Sequence, residues 1–62
     1  MNNCIREKRV ELGISQTELA RRTSTASPNL SAIENGHREA WPKLRRRLAR
    51  VLKTTESKLF TS

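Results

Sequence analysis

The residues best suited to do chemistry are basic ones, and they gather near the C-terminal end of the sequence. Residues 43–62 carry seven Lys or Arg and one Glu, whereas residues 1–42 carry six basic and five acidic residues. Most of the formal net charge of +7 therefore belongs to the last third of the chain. A basic surface concentrated in one segment indicates a polyanionic partner, with nucleic acid ahead of an anionic membrane. The alternative interpretation is a charged face that only keeps the protein in solution.

Other chemically useful residue types are scarce. The chain has one histidine (His37), one cysteine (Cys4) and no aspartate. One chain therefore cannot form an internal disulfide or a Cys/His metal quartet. The sequence also has no glycine-rich phosphate loop and no set of residues for a catalytic site. We expect no enzymatic activity, no metal and no cofactor.

The length and hydropathy pattern limit the class of protein further. A chain of 62 residues forms one small domain that buries only about 60% of its unfolded surface. The longest apolar run is two residues, so the sequence contains neither a membrane span nor a secretory signal. We expect residues 1–62 to form one cytoplasmic, nucleoid-associated domain with no membrane partner.

Local start and stop signals predict five short helices and no strand. Ile5, Arg9 and Leu12 form one helical stripe that Gly13 ends, and residues 15–18 have the Ser-x-x-Glu spacing of a capping box. Further helices are predicted to begin at Ser27-Pro28 with Ser27 as the N-cap, at Pro42, and after Thr54-Thr55. Their inward residues are Leu30 and Ile33, then Leu44, Leu48, Val51 and Leu52, then Leu59 and Phe60.

The second and third predicted helices resemble the helix-turn-helix of phage repressor and Cro proteins and their bacterial relatives, the XRE-type family. The resemblance rests on Gln-Thr-Glu-Leu-Ala at 16–20 and Leu-Ser-Ala-Ile-Glu-Asn-Gly at 30–36, supported by residues 12–16 and 48–52. It covers about residues 5–60. It implies an all-α, lambda-repressor-like bundle of about five short helices. The implied function is transcriptional regulation by a homodimer on a pseudo-palindromic operator in double-stranded DNA.

The sequence departs from the family pattern in the turn between these helices. The family usually has a glycine flanked by aliphatic residues, whereas this chain has Thr23-Ser24-Thr25. A serine in the left-handed conformation costs about 1 kcal/mol relative to glycine, so we expect modest stability. Pro28 also comes one place later than is common, which leaves the helix start open between Ala26 and Ser27.

The resemblance implies that the third helix reads bases in the major groove. With Leu30 and Ile33 facing the core, the opposite face carries Pro28, Ser31, Ala32 and Asn35. The expected base-reading residues are Ser27, Pro28, Asn29 and Ala32. Ser27 can donate or accept, Pro28 and Ala32 offer only apolar contact, and Asn29 on the flank can reach a base or a phosphate. Direct readout is then weak and DNA shape carries more of the specificity; the alternative is a solvated helix surface.

The resemblance also implies contacts with the DNA backbone and one structural ion pair. Family members use the residue at Gln16 to bind a phosphate at a helix N-terminus, and the fourth helix approaches the backbone with its N-terminal end. Arg9 and Glu34 are expected to form a partly buried ion pair, and Trp41 to plug the core or contact a second copy. The expected backbone contacts are Gln16, Asn35, Arg38 beside His37, Lys43 and Arg46.

Two rival functions stay open at this point. The first is a DNA-binding antitoxin that also binds a toxin protein. The second is a basic amphipathic protein that lies on membrane surfaces; in that case Leu48 and Val51 would face lipid and not a core.

Overall fold

The computed structural model describes residues 3–60, which form a bundle of helices with no strand in that range. The bundle measures 24 × 22 × 20 Å. This confirms the expected all-α fold. The helices are α1 (Ile5–Glu11), α2 (Gln16–Arg22), α3 (Ser27–Glu34), α4 (Pro42–Val51) and α5 (Glu56–Leu59).

Two helices begin with the side-chain caps that the sequence predicts. The Ser15 hydroxyl accepts from the Glu18 backbone N–H at 3.1 Å, and the Thr55 hydroxyl accepts from the Lys58 N–H at 3.3 Å. The reciprocal half of the capping box does not form, because the Glu18 carboxylate turns along the helix to Arg21 and Arg22. Those two guanidiniums are stronger partners for a carboxylate than a neutral N–H.

The structure decides where α3 starts. Ala26 is the N-cap residue in an extended conformation, without a side-chain cap, and Ser27 is the first helical residue. Of the two starts that the sequence left open, the structure has Ala26 as the N-cap and not Ser27. Pro28 then occupies the second helical position, which it tolerates because N–H groups in the first turn have no intrahelical acceptor.

The four longer helices all end in the same way, with one residue in the left-handed conformation. These residues are Gly13, Ser24, Gly36 and Lys53, at φ 71°, 56°, 78° and 56°. After each comes an N–H that reaches back five residues, as from Thr25 to the Ala20 carbonyl at 2.9 Å. This is the Schellman arrangement, which satisfies the last carbonyls of a helix. The left-handed Ser24 is as expected, whereas nothing in the sequence pattern indicated Lys53.

The core is built from aliphatic side chains of all five helices, with Ile14, Ala40, Val51 and Phe60 at its edge. Two expected members lie outside it. Leu12 is 38% exposed because it is the C-cap residue of α1, where the stripe ends. Trp41 is 40% exposed at the N-cap of α4, so it does not plug the core. The buried apolar residues are Ile5, Leu19, Ala20, Leu30, Ile33, Leu44, Leu48, Ala49, Leu52 and Leu59.

Candidate nucleic-acid interface

One side of α3 is available to a partner. Leu30, Ile33 and Glu34 are buried, so the opposite side of the helix faces outward. That side carries exposed Pro28 and half-buried Ala32. Half-buried Ser27 and Asn29 lie at its two edges. The four residues expected to read bases therefore share one accessible surface of a single helix, from its first to its sixth residue.

A buried ion pair connects α1 to the last residue of α3, on the side of the helix that faces the core. Arg9 Nε donates to Glu34 Oε2 at 2.9 Å, and Arg9 Nη2 donates to Oε1 at 3.3 Å. Arg9 Nη1 also donates to the Ile14 carbonyl at 3.1 Å. The Glu34 side chain is fully buried and that of Arg9 is 14% exposed. The pair joins α1, the α1–α2 connection and the end of α3, so it determines how α3 is oriented.

Asn3 provides a second attachment at the same end of α3, which the sequence did not reveal. Its Nδ2 donates to the Ile33 carbonyl at 2.8 Å, while its Oδ1 accepts from the Ile5 N–H at 3.2 Å. Asn3 is only 6% exposed. No spacing rule links an N-terminal asparagine to a carbonyl thirty residues away, so no sequence signal was available.

Two further hydrogen bonds orient the asparagine side chains of the α3 segment. Arg6 Nη2 donates to Asn35 Oδ1 at 2.7 Å, and Arg38 Nη1 donates to Asn29 Oδ1 at 3.1 Å. Arg38, expected to touch the DNA backbone, thus lies beside a residue expected to read bases. Sequence reasoning missed Arg6, although its place one turn before Arg9 was a usable signal.

The basic side chains of α4 divide into two groups. Arg45 is half-buried over the Phe60 ring, with its guanidinium carbon 4.6 Å from the ring centre. Arg47 is exposed, but its Nη1 donates to the Thr23 carbonyl in the α2–α3 turn at 3.4 Å. Lys43, Arg46 and Arg50 are exposed, and none of the three has an ion pair within residues 3–60. These three residues are the free cations of α4.

Glu18 on α2 pairs with both Arg21 and Arg22, so the three side chains together keep a net charge of +1. Hydrogen bonds from Arg21 and then Arg22 lower the pKa of Glu18 from 4.5 to about 2, and the pKa of Arg21 is raised in return. Gln16, the first residue of α2, is half-buried at the helix N-terminus. His37 is exposed in the loop next to Arg38. A phosphate at the start of α2 would meet N–H groups there and no free acid.

Comparison with known proteins decides the family. A family model described as helix-turn-helix matches residues 5–59. The chain belongs to the helix-turn-helix family. A chain in the solved complex of SinR protein with SinI protein is 27% identical, with a TM-score of 0.83, over 94% of this chain and 57% of that chain. The helix-turn-helix chain thus spans little more than half of the SinR chain. No curated protein matches it.

The family assigns roles to the helices already described. In a helix-turn-helix, the second helix of the motif enters the major groove; here the motif consists of α2, the turn at Thr23–Ala26, and α3. The chain therefore has an XRE-type helix-turn-helix, the motif by which such proteins bind DNA. Within residues 3–60 no helix is long and apolar enough to cross a bilayer.

Proposed function

We propose that this helix-turn-helix chain regulates transcription in the manner of repressor and Cro proteins, by occupying an operator in double-stranded DNA. The observation that carries the proposal is the accessible side of α3, fixed from behind by the buried Arg9–Glu34 pair. Such a surface is suited to binding, and we assign it no catalytic role. The regulator then acts by blocking or recruiting RNA polymerase, without a cofactor or metal.

Base contacts are assigned to Ser27, Pro28, Asn29 and Ala32. Ser27 accepts from or donates to base edges, whereas Pro28 and Ala32 pack against thymine methyl groups. Because only Ser27 and Asn29 can hydrogen-bond, discrimination of specific over non-specific DNA should fall near the low end of about 10³–10⁷. The remainder of the specificity comes from DNA shape.

Backbone contacts are assigned to residues on both sides of α3. Gln16 offers its amide at the start of α2, and Asn35 and Arg38 follow the end of α3. Lys43 and Arg46 are free cations of α4 and bind phosphates. Arg47 is left out because it already contacts the α2–α3 turn.

Two copies should occupy one operator. A single α3 reads about four or five base pairs, too few for a unique genomic site, so we assign a pseudo-palindrome with half-sites about 10 base pairs apart. The symmetric contact is weak in solution and completed on DNA. The exposed Trp41 and Val10, at 40% and 65% exposure, are apolar groups available for such a contact.

Selection of bound sequences from random duplex DNA, followed by footprinting, tests this function. We expect enrichment of a paired motif, protection of both half-sites and a cooperative binding curve. Ser27→Ala should change base preference at one position of each half-site by about 1–3 kcal/mol at most. A lack of sequence enrichment, or a footprint on one isolated half-site with non-cooperative binding, would argue against it.

A partner protein is the second candidate, because the SinR structure is a complex with SinI. An antitoxin, in addition to its operator, would bind a toxin encoded by a neighbouring gene. Co-expression with that gene product followed by size-exclusion chromatography decides the matter: co-elution supports the antitoxin function, and separate elution excludes it for that product.

A further inference from the structure

The side-chain amides of Asn29 and Asn35 share an arrangement that restricts what they can recognise. Each Oδ1 accepts a hydrogen bond from an arginine on another element, Arg38 in the loop after α3 and Arg6 on α1. A guanidinium is only a donor, so it must face the amide oxygen and not the amide nitrogen. In each asparagine, the amide nitrogen is therefore the group that is left for another partner.

The consequence is that both amides present their NH₂ groups to a ligand. Within residues 3–60, neither Asn29 Nδ2 nor Asn35 Nδ2 has a hydrogen-bond acceptor. An asparagine recognises adenine by accepting from N6 and donating to N7 at the same time. Asn29 cannot make that pair of bonds while Arg38 holds its oxygen. It can still donate two hydrogen bonds to neighbouring acceptors.

Guanine is the base whose major-groove edge fits such a donor, because N7 and O6 are adjacent acceptors. Adenine N7 and thymine O4 each offer one acceptor, and cytosine offers only its N4 donor. For Asn35, after the end of α3, the corresponding ligand is a phosphate oxygen. The preference for guanine over the other three bases applies to the base that faces Asn29, on whichever strand that base lies.

We propose that Asn29 reads guanine as a donor only, and that Arg38 is the positioning residue that sets this preference. The inference rests on the proposed function, since it assigns the base class that one residue of the DNA-reading helix selects. Arg38 has further N–H groups beyond Nη1 and can bind a phosphate with them. A backbone contact and a base preference are then coupled through one side chain.

The experiment starts from the operator that the wild-type chain selects. Each base is varied in turn, and the position whose preference changes in Asn29→Ala is taken as the one facing Asn29. We expect the wild type to prefer guanine there. Arg38→Ala should raise the affinity for adenine relative to guanine about tenfold at that position only, because the amide becomes free to rotate and accept.

Three variants make the result specific to the amide. Arg50→Ala is the control, because it also removes one exposed positive charge. Since Arg38 and not Arg50 donates to Asn29, this variant should leave the ratio of adenine to guanine affinity unchanged. In an Asn29→Ala background, Arg38→Ala should no longer alter that ratio. Asn29→Asp keeps an acceptor for Arg38 but has no donor, so its preference should move from guanine to the bases whose amino group donates in the major groove, cytosine and adenine. Circular dichroism confirms that each variant is folded.

Several outcomes overturn the inference while the proposed function stands. One is a wild-type preference for adenine opposite Asn29; another is an Arg38→Ala shift no larger than that of Arg50→Ala. A third is an Asn29→Ala variant that changes no base preference, which would show that Asn29 does not read a base. If the wild-type chain selects no operator at all, the proposed function fails, and the inference fails with it.

Discussion

At the scale of single residues, the most consequential interaction is the ion pair between Arg9 and the fully buried Glu34. Among residues 3–60, Arg9→Met would leave that carboxylate with Arg6 as its one basic partner, at 3.5 Å. Removal of one partner of a buried pair costs about 3–5 kcal/mol. Arg9→Met combined with Glu34→Met should cost much less, because no buried charge is left unpaired. Urea unfolding of the variants measures this. Arg6→Met, at a half-exposed side chain, is the control, and an equal loss in Arg6→Met and Arg9→Met would contradict the assignment.

Glu18 gives the fold a dependence on acid. Its pKa is about 2 in the folded protein against 4.5 as the ordinary value. Between those values the unfolded chain binds more protons than the folded one, so stability falls as the pH is lowered from about 4.5 to 2. Above pH 4.5 the contribution of Glu18 is complete. In thermal unfolding at pH 2 to 6, the advantage of wild type over Glu18→Gln should shrink as the pH falls. Arg21→Gln with Arg22→Gln should flatten the wild-type profile in the same way; a difference independent of pH would show that these bonds do not form in solution.

At the scale of helices, two of the four Schellman ends hold a residue with a Cβ where glycine is favoured. Ser24 and Lys53 both have φ near 56°, a conformation that costs an L-residue roughly 1 kcal/mol. We expect Ser24→Gly and Lys53→Gly each to raise the free energy of unfolding by about 0.5–1 kcal/mol. Glycine relieves the strain in the folded state, and this gain is only partly offset because glycine also increases the conformational entropy of the unfolded chain. Chemical denaturation measures the gain. Gly13→Ala is the converse control: its added Cβ would meet no atom within 4 Å, so its destabilisation would report backbone strain alone. No gain from either glycine would mean that these ends are not strained.

The elements also show how far the sequence could be interpreted. The helix ends at Gly13 and Gly36 and the caps at Ser15 and Thr55 were predictable, because they depend on residues three to five positions apart. The placement of Arg9 opposite Glu34 followed from the family resemblance. The bonds from Arg38 to Asn29 and from Arg6 to Asn35 were not predictable, since they depend on how a loop and α1 pack against α3. The orientation of the candidate base-reading amide therefore required the structure.

At the scale of the whole molecule, the excess of positive charge predicts how binding should respond to salt. Lys43 and Arg46 have no ion pair within the described part of the chain, so both are available to phosphates. A dimer has four such contacts, and Arg38 adds up to two more, so about four to six condensed cations are displaced. This gives a slope of log K against log[salt] of about −4 to −5. A chain bound mainly through neutral groups would show a much flatter line.

Arg46 and Arg50 lie one turn apart on the exposed side of α4, which makes them a matched pair for this measurement. Arg46→Ala should flatten the slope by about two units per dimer and weaken binding to all sequences about equally, because a phosphate contact carries no base preference. Arg50→Ala removes the same charge one turn further from the N-terminal end of α4 and should change the slope far less. Fluorescence anisotropy measures the binding constant on one operator and one unrelated duplex. A salt range of about 50 to 300 mM, which brackets physiological ionic strength, separates the two variants. Equal and small effects would mean that the arginines of α4 only form a solvated face, and that the phosphate contacts must then come from Gln16, Asn35 and Arg38.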